Sequence, residues 1–409
     1  MQLYLREKYL RRIRGFYHSA DLIKVITGIR RCGKSCLMQM IMAELREQGI
    51  SAERICYLNL DRRGFKHLKG PEQLDELIAS HLQQGSLNYL FIDEIQNVDN
   101  FESVINSWRE EGCCSIFITG SNSYLLSGEL ATKLTGRYLE FEMYTLTFDE
   151  YLGMKAFCGQ QVADNLLLEL QNYLQEGGFP RAVTIESLED KRTYVANVVE
   201  EIFHKDIRRR VKIRNVEAFE AVRRYLFSNF GATYSVNSLQ IALKKTGLNI
   251  SRLTLHRYLQ VLVEAKILYE CERFDLKSRR ALAGERKYYL GDLSFYFSLN
   301  TDNRLNYGPL LESPVFFYAR SLNYRVSIGR IGNLECDFIL RDTALDYAYV
   351  QVAYTIAASA ETEEREYRAL ERIKDNYPKY VMTTDYLLQR RNGIRHVNLM
   401  EFMRAGERF

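Results

Sequence analysis

The chain has 409 residues, more than one hydrophobic core usually organises, so two or three domains are expected. Its hydrophobic fraction of 46% and charged fraction of 26% exclude a disordered chain, and the net charge of +4 is too small to indicate a partner by itself. No apolar run approaches the roughly 18 residues that span a bilayer, and the eight cysteines form no CxxC pair, so we expect a cytoplasmic protein without a membrane segment.

Residues 1–150 alternate short apolar strands with helices. This pattern predicts an α/β fold, with a parallel sheet covered by helices on both faces. The clearest helix begins at Lys34, shortly after the first strand. The strands are predicted at residues 22–27, 54–60, 87–94, 115–120 and 138–144.

The pattern changes after residue 150. Residues from about 150 to 230 carry helical spacing, which Gly177, Gly178 and Pro180 interrupt. Residues from about 230 to 300 predict helices followed by a hairpin. From about residue 305 to residue 409 the chain returns to mixed α/β structure, with a strand pair in LECDFILRDTALDYAYVQVAY.

The stretch GIRRCGKS begins at Gly28 and matches the phosphate-binding pattern G-x-x-x-x-G-K-[ST]. Its glycines let successive N–H groups point at phosphate oxygens, and the following helix offers its positive end. Lys34 would contact the β- and γ-phosphates of ATP, and Ser35 would bind Mg²⁺. A glycine-rich surface turn is the alternative. The predicted nucleotide-binding residues are Gly28, Ile29, Arg30, Arg31, Cys32, Gly33, Lys34, Ser35 and Cys36.

A second motif, YLFIDEIQ, is an apolar strand that ends in two acids. Asp93 would hold Mg²⁺ through water, and Glu94 would polarise the water that attacks the γ-phosphate. The alternative is a pair of solvated acids that begin a turn. The position of this pair downstream of a phosphate-binding loop favours the catalytic interpretation.

Polar residues at other strand ends supply further candidates. Ser121 and Asn122, in FITGSNSYLL, could hold the attacking water or sense the γ-phosphate, and ordinary turn chemistry is the alternative. Asn59 could hydrogen-bond Glu94 and keep it idle. Arg137 is the candidate arginine finger, acting within the chain or on a neighbouring subunit, and a structural arginine is the alternative.

This series of motifs resembles a large prokaryotic family of AAA+-like ATP-binding proteins. The resemblance continues through YLQEGGFPRAV, HKDIRRR, SRLTLHRYLQVLVEAKIL and KYYLGDLSFYF, so it covers nearly the whole chain. It implies a P-loop ATPase domain at residues 1–150, a helical lid or linker at 151–215, a winged helix at 216–303 and a restriction-endonuclease-like, PD-(D/E)xK domain at 304–409.

The predicted winged helix has a layout that suits DNA. In the helix after Ser251, apolar residues at helical spacing would face the core and leave basic residues exposed, and a hairpin with a basic tip follows. A winged helix that packs against protein is the alternative. The candidate DNA-binding residues are Arg252, His256, Arg257, Arg279 and Arg280.

The endonuclease-like part lacks a complete active site by sequence. Glu312 could be the helix acid and Asp337 the strand acid of such a site, but the third element carries Gln351 and Ala353 instead of an acid and a lysine. We therefore expect a domain without nuclease activity. The alternative is that Lys374 or another side chain supplies the missing lysine.

These observations predict an ATPase of the AAA+ type that uses ATP and Mg²⁺ as a nucleotide-driven switch, with double-stranded DNA as its leading partner. The alternative is an ATP-dependent signalling or scaffold protein whose winged helix binds a protein partner. A third hypothesis is an ATP-regulated nuclease. AAA+ relatives often form rings, so the sequence is compatible with an oligomer.

Overall fold

The computed structural model describes residues 3–120, 136–208, 211–276, 280–299 and 307–409, except for the side chains of residues 280–283 and 299. The chain divides into two compact units. The first comprises Met1–Tyr144 and Glu264–Lys266, and the second comprises Thr145–Val263 and Ile267–Phe409. Within the described ranges, no helix has both the length and the apolar character that crossing a lipid bilayer requires.

The first unit is built on a five-stranded parallel sheet. Its strands are β1 Ile23–Gly28, β2 Ile55–Asn59, β3 Asn88–Asp93, β4 Cys114–Thr119 and β5 Tyr138–Met143. Across the sheet they run in the order β2-β3-β4-β1-β5. Each strand begins and ends within one residue of its predicted range, and the α/β fold class is confirmed for this unit.

Helices cover this sheet because its central strands are mostly apolar and are buried along their whole length. Every residue of β1, β3 and β4 is buried, as expected for parallel strands with helices on both faces. On one face, Leu74 and Ile105 pack into a core cluster with Val25, Ile92 and Ile116. The described α-helices of the unit are α1 Glu7–Ile13, α2 Lys34–Glu47, α3 Pro71–Ala79 and α4 Phe101–Glu111.

The second unit begins with helices and continues into a large sheet. Its described α-helices are α5 Phe148–Phe157, α6 Leu166–Glu176, α7 Pro180–Val183, α8 Leu188–Ile202, α9 Val216–Ser228, α10 Val236–Lys245, α11 Arg252–Glu264, α12 Ser294–Leu299, α13 Tyr307–Ser321, α14 Ala360–Glu371 and α15 Leu399–Arg404. Its strands are β6 Thr233–Tyr234, β7 Leu268–Asp275, β8 Arg280–Leu290, β9 Arg325–Ile331, β10 Leu334–Arg341, β11 Tyr347–Val352, β12 Lys379–Thr383, β13 Arg390–Arg391 and β14 Ile394–Asn398.

All of these strands belong to one nine-stranded sheet, in the order β13-β14-β12-β11-β10-β9-β7-β8-β6. The β7–β8 hairpin joins the C-terminal strands because β7 pairs in parallel with β9, for example Arg273 with Ile328. The hairpin after residue 230 and the strand pair β10–β11 were both predicted. Their union in one sheet was not, and the proposed division at residue 303 falls inside this unit.

Gly177 and Gly178 break the helical segment for a steric reason. Gly177 has a φ of 76°, and a side chain there would overlap the Asp292 carboxylate. That carboxylate accepts hydrogen bonds from the N–H of Gly178 at 2.8 Å and from the N–H of Ser294 at 3.0 Å. Two of the sequence motifs, GGFP and GDLS, therefore meet at one buried aspartate.

Candidate nucleotide-binding site

The loop at residues 28–33 connects β1 to α2 and has the backbone shape of a phosphate cradle. Gly28 has a φ of 147°, and a Cβ there would overlap the carbonyl oxygen of Met143 at the end of β5. Gly33 has a φ of 108° and directly precedes the first residue of α2. Both positions need glycine because an ordinary side chain would be strained or obstructed there.

Lys34 lies in the first turn of α2 with its side chain buried against the loop. Its Nζ donates hydrogen bonds to the carbonyl oxygens of Gly28 at 2.8 Å and Ile29 at 3.3 Å. The ammonium group is thus already directed to the interior of the loop. Ser35 follows it, half-buried, beside the positive end of the helix.

A buried arginine from the N-terminal segment anchors the loop, and no sequence pattern marks this residue. The Arg6 guanidinium donates to the carbonyl oxygen of Cys32 at 3.1 Å and to that of Tyr144 at 2.8 Å. It also stacks over the ring of Tyr9, with 4.6 Å between the guanidinium carbon and the ring centroid. Arg6 therefore ties the loop to the chain that leaves β5.

Asp93, at the end of β3, is almost completely buried and receives hydrogen bonds from three side chains. Thr119 donates to one carboxylate oxygen, and Tyr57 and Asn59 donate to the other, each at 3.1 Å. Burial and the Asp93 charge raise the pKa of Tyr57 to about 12, so its hydroxyl stays a donor at neutral pH. Asn59 therefore binds Asp93, and the expectation that it would bind Glu94 is wrong.

Glu94 follows Asp93 and adopts a left-handed conformation with a φ of 58°. Its N–H donates to the Thr119 hydroxyl at 3.1 Å, and its carboxylate accepts a hydrogen bond from the side-chain amide of Gln96. Partial desolvation and, after it, the negative charge of Asp93 raise the pKa of Cys36 in the first turn of α2. Asp93 therefore lies close enough for its charge to act on the start of that helix.

The other candidates of the first unit fall in different places. Ser121 and Asn122 lie outside the described residues. Arg137 directly precedes β5. It therefore lies at the end of the sheet where β1 and β5 begin, because Ile23, the first residue of β1, pairs with Tyr138, the first residue of β5. It binds Asn106 at 3.1 Å, at the opposite edge of the sheet from the loop. A six-residue strand separates the two edges by roughly 20 Å, so the proposed finger acting within the chain is corrected.

The predicted DNA-contacting residues of the second unit are only partly described. Arg252, His256 and Arg257 are exposed on α11, whereas Leu255 and Leu259 are buried as the helical spacing predicted. Arg279 and the side chain of Arg280 lie outside the described part of the structure. Another basic residue of the hairpin, Arg286, forms an ion pair with Glu270 at 2.6 Å.

The predicted remnant of a nuclease site contains a lysine that the sequence analysis missed. Lys287, on β8, places its Nζ 2.6 Å from a carboxylate oxygen of Glu312. Asp337 is buried nearby, and burial together with the charge of Glu312 raises its pKa well above the ordinary value. Lys374 is exposed and donates to the carbonyl oxygen of Glu371 at 3.1 Å, so it does not supply the missing cation.

Gln351 and Ala353 lie at the end of β11. The Gln351 amide donates to Glu366 at 3.0 Å, and its carbonyl oxygen accepts from the N–H of Asp337 at 3.4 Å. In the described part of the chain, no three His, Cys, Asp or Glu side chains are grouped as a metal ion requires.

Comparisons with known proteins agree with this geometry. The AAA domain family matches residues 20–152, and a domain of unknown function, DUF8612, matches residues 167–305. A solved structure, a Walker-type ATPase of Pyrococcus abyssi, is similar with a TM-score of 0.51 at 14% sequence identity, over 73% of this chain and 96% of that one. The loop, the strand order and these matches define an AAA-type P-loop ATPase fold.

Two curated relatives extend the similarity over most of the chain. An uncharacterised protein of Haemophilus influenzae is 32% identical over 401 residues, which cover 97% of this chain and 98% of the relative. An uncharacterised protein of Methanocaldococcus jannaschii is 31% identical over 364 residues, 86% of this chain and 79% of the relative. The chain belongs to the same protein family as the Haemophilus influenzae protein.

Proposed function

We propose that this protein is a Mg²⁺-dependent ATPase of the AAA+ type that works as a nucleotide-driven switch. One observation carries the proposal: three neighbouring strands, β3, β4 and β1, end at one edge of the sheet in the acid pair, Thr119 and the phosphate-binding loop. Polar groups of these types at this edge are what phosphoryl transfer to water requires. The AAA-domain match supports the proposal.

Each group has a role in this proposal. The N–H groups of the loop and Lys34 bind the β- and γ-phosphates, with Lys34 exchanging loop carbonyl oxygens for phosphate oxygens. Ser35 and Asp93 fit a Mg²⁺ ion, Asp93 through water, because both offer oxygen at the same sheet edge. The ion neutralises charge on the phosphates. Glu94 accepts the proton of the attacking water once its carboxylate has left Gln96.

ATP turnover and nucleotide binding by two variants test the proposal. We expect Glu94→Gln to bind ATP normally. Its rate of ATP hydrolysis should be at least about 100-fold lower, because the variant lacks the general base. We expect Lys34→Ala to lose most of the heat of ATP binding in calorimetry. Lys66→Ala, at an exposed lysine of the same unit, is the control. Unchanged binding by Lys34→Ala would refute the nucleotide site, and equal turnover by Glu94→Gln would refute the role of Glu94.

The switch is proposed to act with double-stranded DNA through a winged helix at residues 216–303. The supporting observations are the order of elements, α9, β6, α10, α11 and the β7–β8 hairpin, and three exposed basic or titratable side chains on α11. If Arg252 and Arg257 contact phosphates, changing both to alanine makes the salt dependence weaker. The steepness of the fall of log affinity with log salt concentration should decrease by about 2. Arg372→Ala, at an exposed arginine, is the control. Absence of duplex binding at low salt would contradict this part.

A second candidate is a scaffold or signalling protein whose winged helix binds protein. Two exposed apolar side chains on the same helices favour it: Ile241 on α10 is 60% exposed and Leu253 on α11 is 80% exposed. In this case duplex DNA leaves ATP turnover unchanged, and Leu253→Ser lowers recovery of a co-purifying protein while Arg252→Ala does not. DNA-stimulated turnover would favour the first candidate.

The C-terminal part, residues 304–409, is proposed to be PD-(D/E)xK-like in shape and without nuclease activity. The order α13, β9, β10, β11, α14, β12 supports the shape, and Ala353 in place of a lysine supports the inactivity. Incubation of duplex DNA with Mg²⁺ or Mn²⁺ tests it. Cleavage that Asp337→Ala abolishes would show that the domain is an active nuclease instead.

A further inference from the structure

A buried cluster of charged side chains lies in the second unit. Glu312 on α13, Asp337 on β10 and Glu366 on α14 are each less than 10% exposed, and so is Lys287 on β8. Carboxylates removed from water need a positive charge or strong hydrogen-bond donors close by, because their desolvation is otherwise very costly. The three buried carboxylates therefore need a cation close to them.

The lysine fulfils that requirement for Glu312. Its Nζ lies 2.6 Å from a Glu312 carboxylate oxygen and 4.0 Å from Glu335, and the Tyr289 hydroxyl donates to the same Glu312 oxygen at 2.6 Å. Lys287 and Tyr289 are two residues apart on β8, so they share a face of the sheet. One strand thus provides both donors to this carboxylate.

Several of the other carboxylate oxygens are held by protein donors as well. One Asp337 oxygen accepts a hydrogen bond from the N–H of Val352 at 2.8 Å. The Gln351 amide donates to one Glu366 oxygen at 3.0 Å, and Arg365 donates to the other at 2.7 Å. A divalent ion would need several of these oxygens free at once, together with room for its own shell. While Lys287 holds the Glu312 carboxylate, the cluster therefore does not fit the metal that a nuclease of this shape would use.

We propose that the Lys287 ammonium is the permanent cation of this cluster and occupies the place that a divalent metal ion would take. An ammonium group donates hydrogen bonds but cannot bind a water molecule as a metal does, so it generates no hydroxide. The cluster then works as a clamp that joins β8 to α13. The inference stands on these contacts and does not depend on ATP hydrolysis elsewhere in the chain.

The variant Lys287→Met tests the proposal by removing the ammonium while keeping an apolar stem. Because an unpaired buried carboxylate remains, we expect the melting temperature of the second unit to fall by roughly 10 °C. We expect Mn²⁺, without nucleotide, to recover most of this loss and to show one more bound ion per chain than wild type by electron paramagnetic resonance. Lys205→Met, which removes a half-exposed lysine paired with Glu201, is the control and should change neither measurement.

Two further measurements keep the proposal falsifiable if Lys287→Met does not fold. The double variant Lys287→Met/Glu312→Gln removes both charges, so it should fold and gain no Mn²⁺. Wild-type protein should bind the same amount of Mn²⁺ as Asp337→Asn. A wild-type ion that Asp337→Asn removes, or a folded Lys287→Met that gains none, would overturn the assignment.

Discussion

The hydroxyl of Thr119 donates a hydrogen bond to the carboxylate of Asp93 on the neighbouring strand. The Thr119 hydroxyl oxygen also accepts a hydrogen bond, at 3.1 Å, from the N–H of Glu94, the residue after Asp93. One side chain from β4 therefore holds the proposed magnesium-binding acid, Asp93, and the proposed general base, Glu94, at the end of β3. Among the described residues, this hydroxyl hydrogen-bonds only Asp93 and Glu94, so its removal should affect hydrolysis more than nucleotide binding.

Thr119→Val removes the hydroxyl and keeps the shape of the side chain. We expect kcat for ATP hydrolysis to fall at least about 10-fold while the dissociation constant for ATP changes little, since a positioned general base contributes on the order of 100-fold or more. The unpaired Glu94 N–H should cost about 1–3 kcal/mol in the free energy of unfolding. Thr119→Ser, which keeps the oxygen, should retain most of the activity. An unchanged kcat in Thr119→Val would show that the contact is only structural.

Arg6→Met should loosen the phosphate-binding loop, because it removes the charged donor to the carbonyl oxygens of Cys32 and Tyr144. We expect ATP affinity, measured by calorimetry, to fall about 10-fold, in line with the loss of a charge-assisted hydrogen bond. Arg11→Met, at an exposed position of α1, is the matched control. Equal affinities for the two variants would contradict an anchoring role for Arg6.

Lys24 predicts a pH dependence of stability. It is fully buried on β1, and burial lowers its pKa to about 7, while the unfolded chain has the ordinary value of 10.5. Between those values the unfolded state binds one more proton than the folded state, so the free energy of unfolding should rise as pH increases from about 7 toward 10.5.

Lys24→Met should remove this slope, and denaturant titrations of both proteins at several pH values measure the difference. The comparison is needed because tyrosines and cysteines titrate in the same range. Parallel pH profiles for wild type and Lys24→Met would show that the lysine does not have a depressed pKa in the folded protein.

Gly177→Ala should destabilise the second unit strongly. The added Cβ would overlap the Asp292 carboxylate and come within 2.8 Å of the Ser294 side chain. Gly159→Ala is a matched control, because Gly159 has a φ of 73°, close to the 76° of Gly177, but has nothing within 4 Å of the new carbon. We expect about 1–2 kcal/mol for Gly159→Ala from backbone strain alone and a clearly larger loss for Gly177→Ala. Equal losses in thermal unfolding would refute the steric explanation.

The first sheet could be predicted closely because its strands are short and mostly apolar. The loop at residues 28–35 was equally accessible, since its pattern follows from backbone needs that few other residues meet. Arg6 could not be found in this way: it contacts residues 26 and 138 positions away, and nothing local marks it as buried. Asn59 was assigned the wrong partner because register, which pairs it with Asp93, is not visible in the sequence.

The cluster around Lys287 shows a different limit. Sequence reasoning looked for a lysine on the strand of Gln351 and considered Lys374 as a substitute, because both lie in the C-terminal part. The structure brings the lysine from a hairpin that had been assigned to another domain. Only the parallel pairing of β7 with β9, which joins chain segments more than fifty residues apart, places that hairpin beside the C-terminal strands.

That pairing also has a mechanical consequence. Since β7 is hydrogen-bonded to β8 on one side and to β9 on the other, the hairpin cannot swing as a separate arm without breaking a central seam of the sheet. A displacement of the hairpin would therefore strain the neighbouring strands of the sheet, because close-packed protein interiors transmit strain. A partner that bound α11 would therefore bind next to a hairpin that shares one sheet with the last hundred residues of the chain.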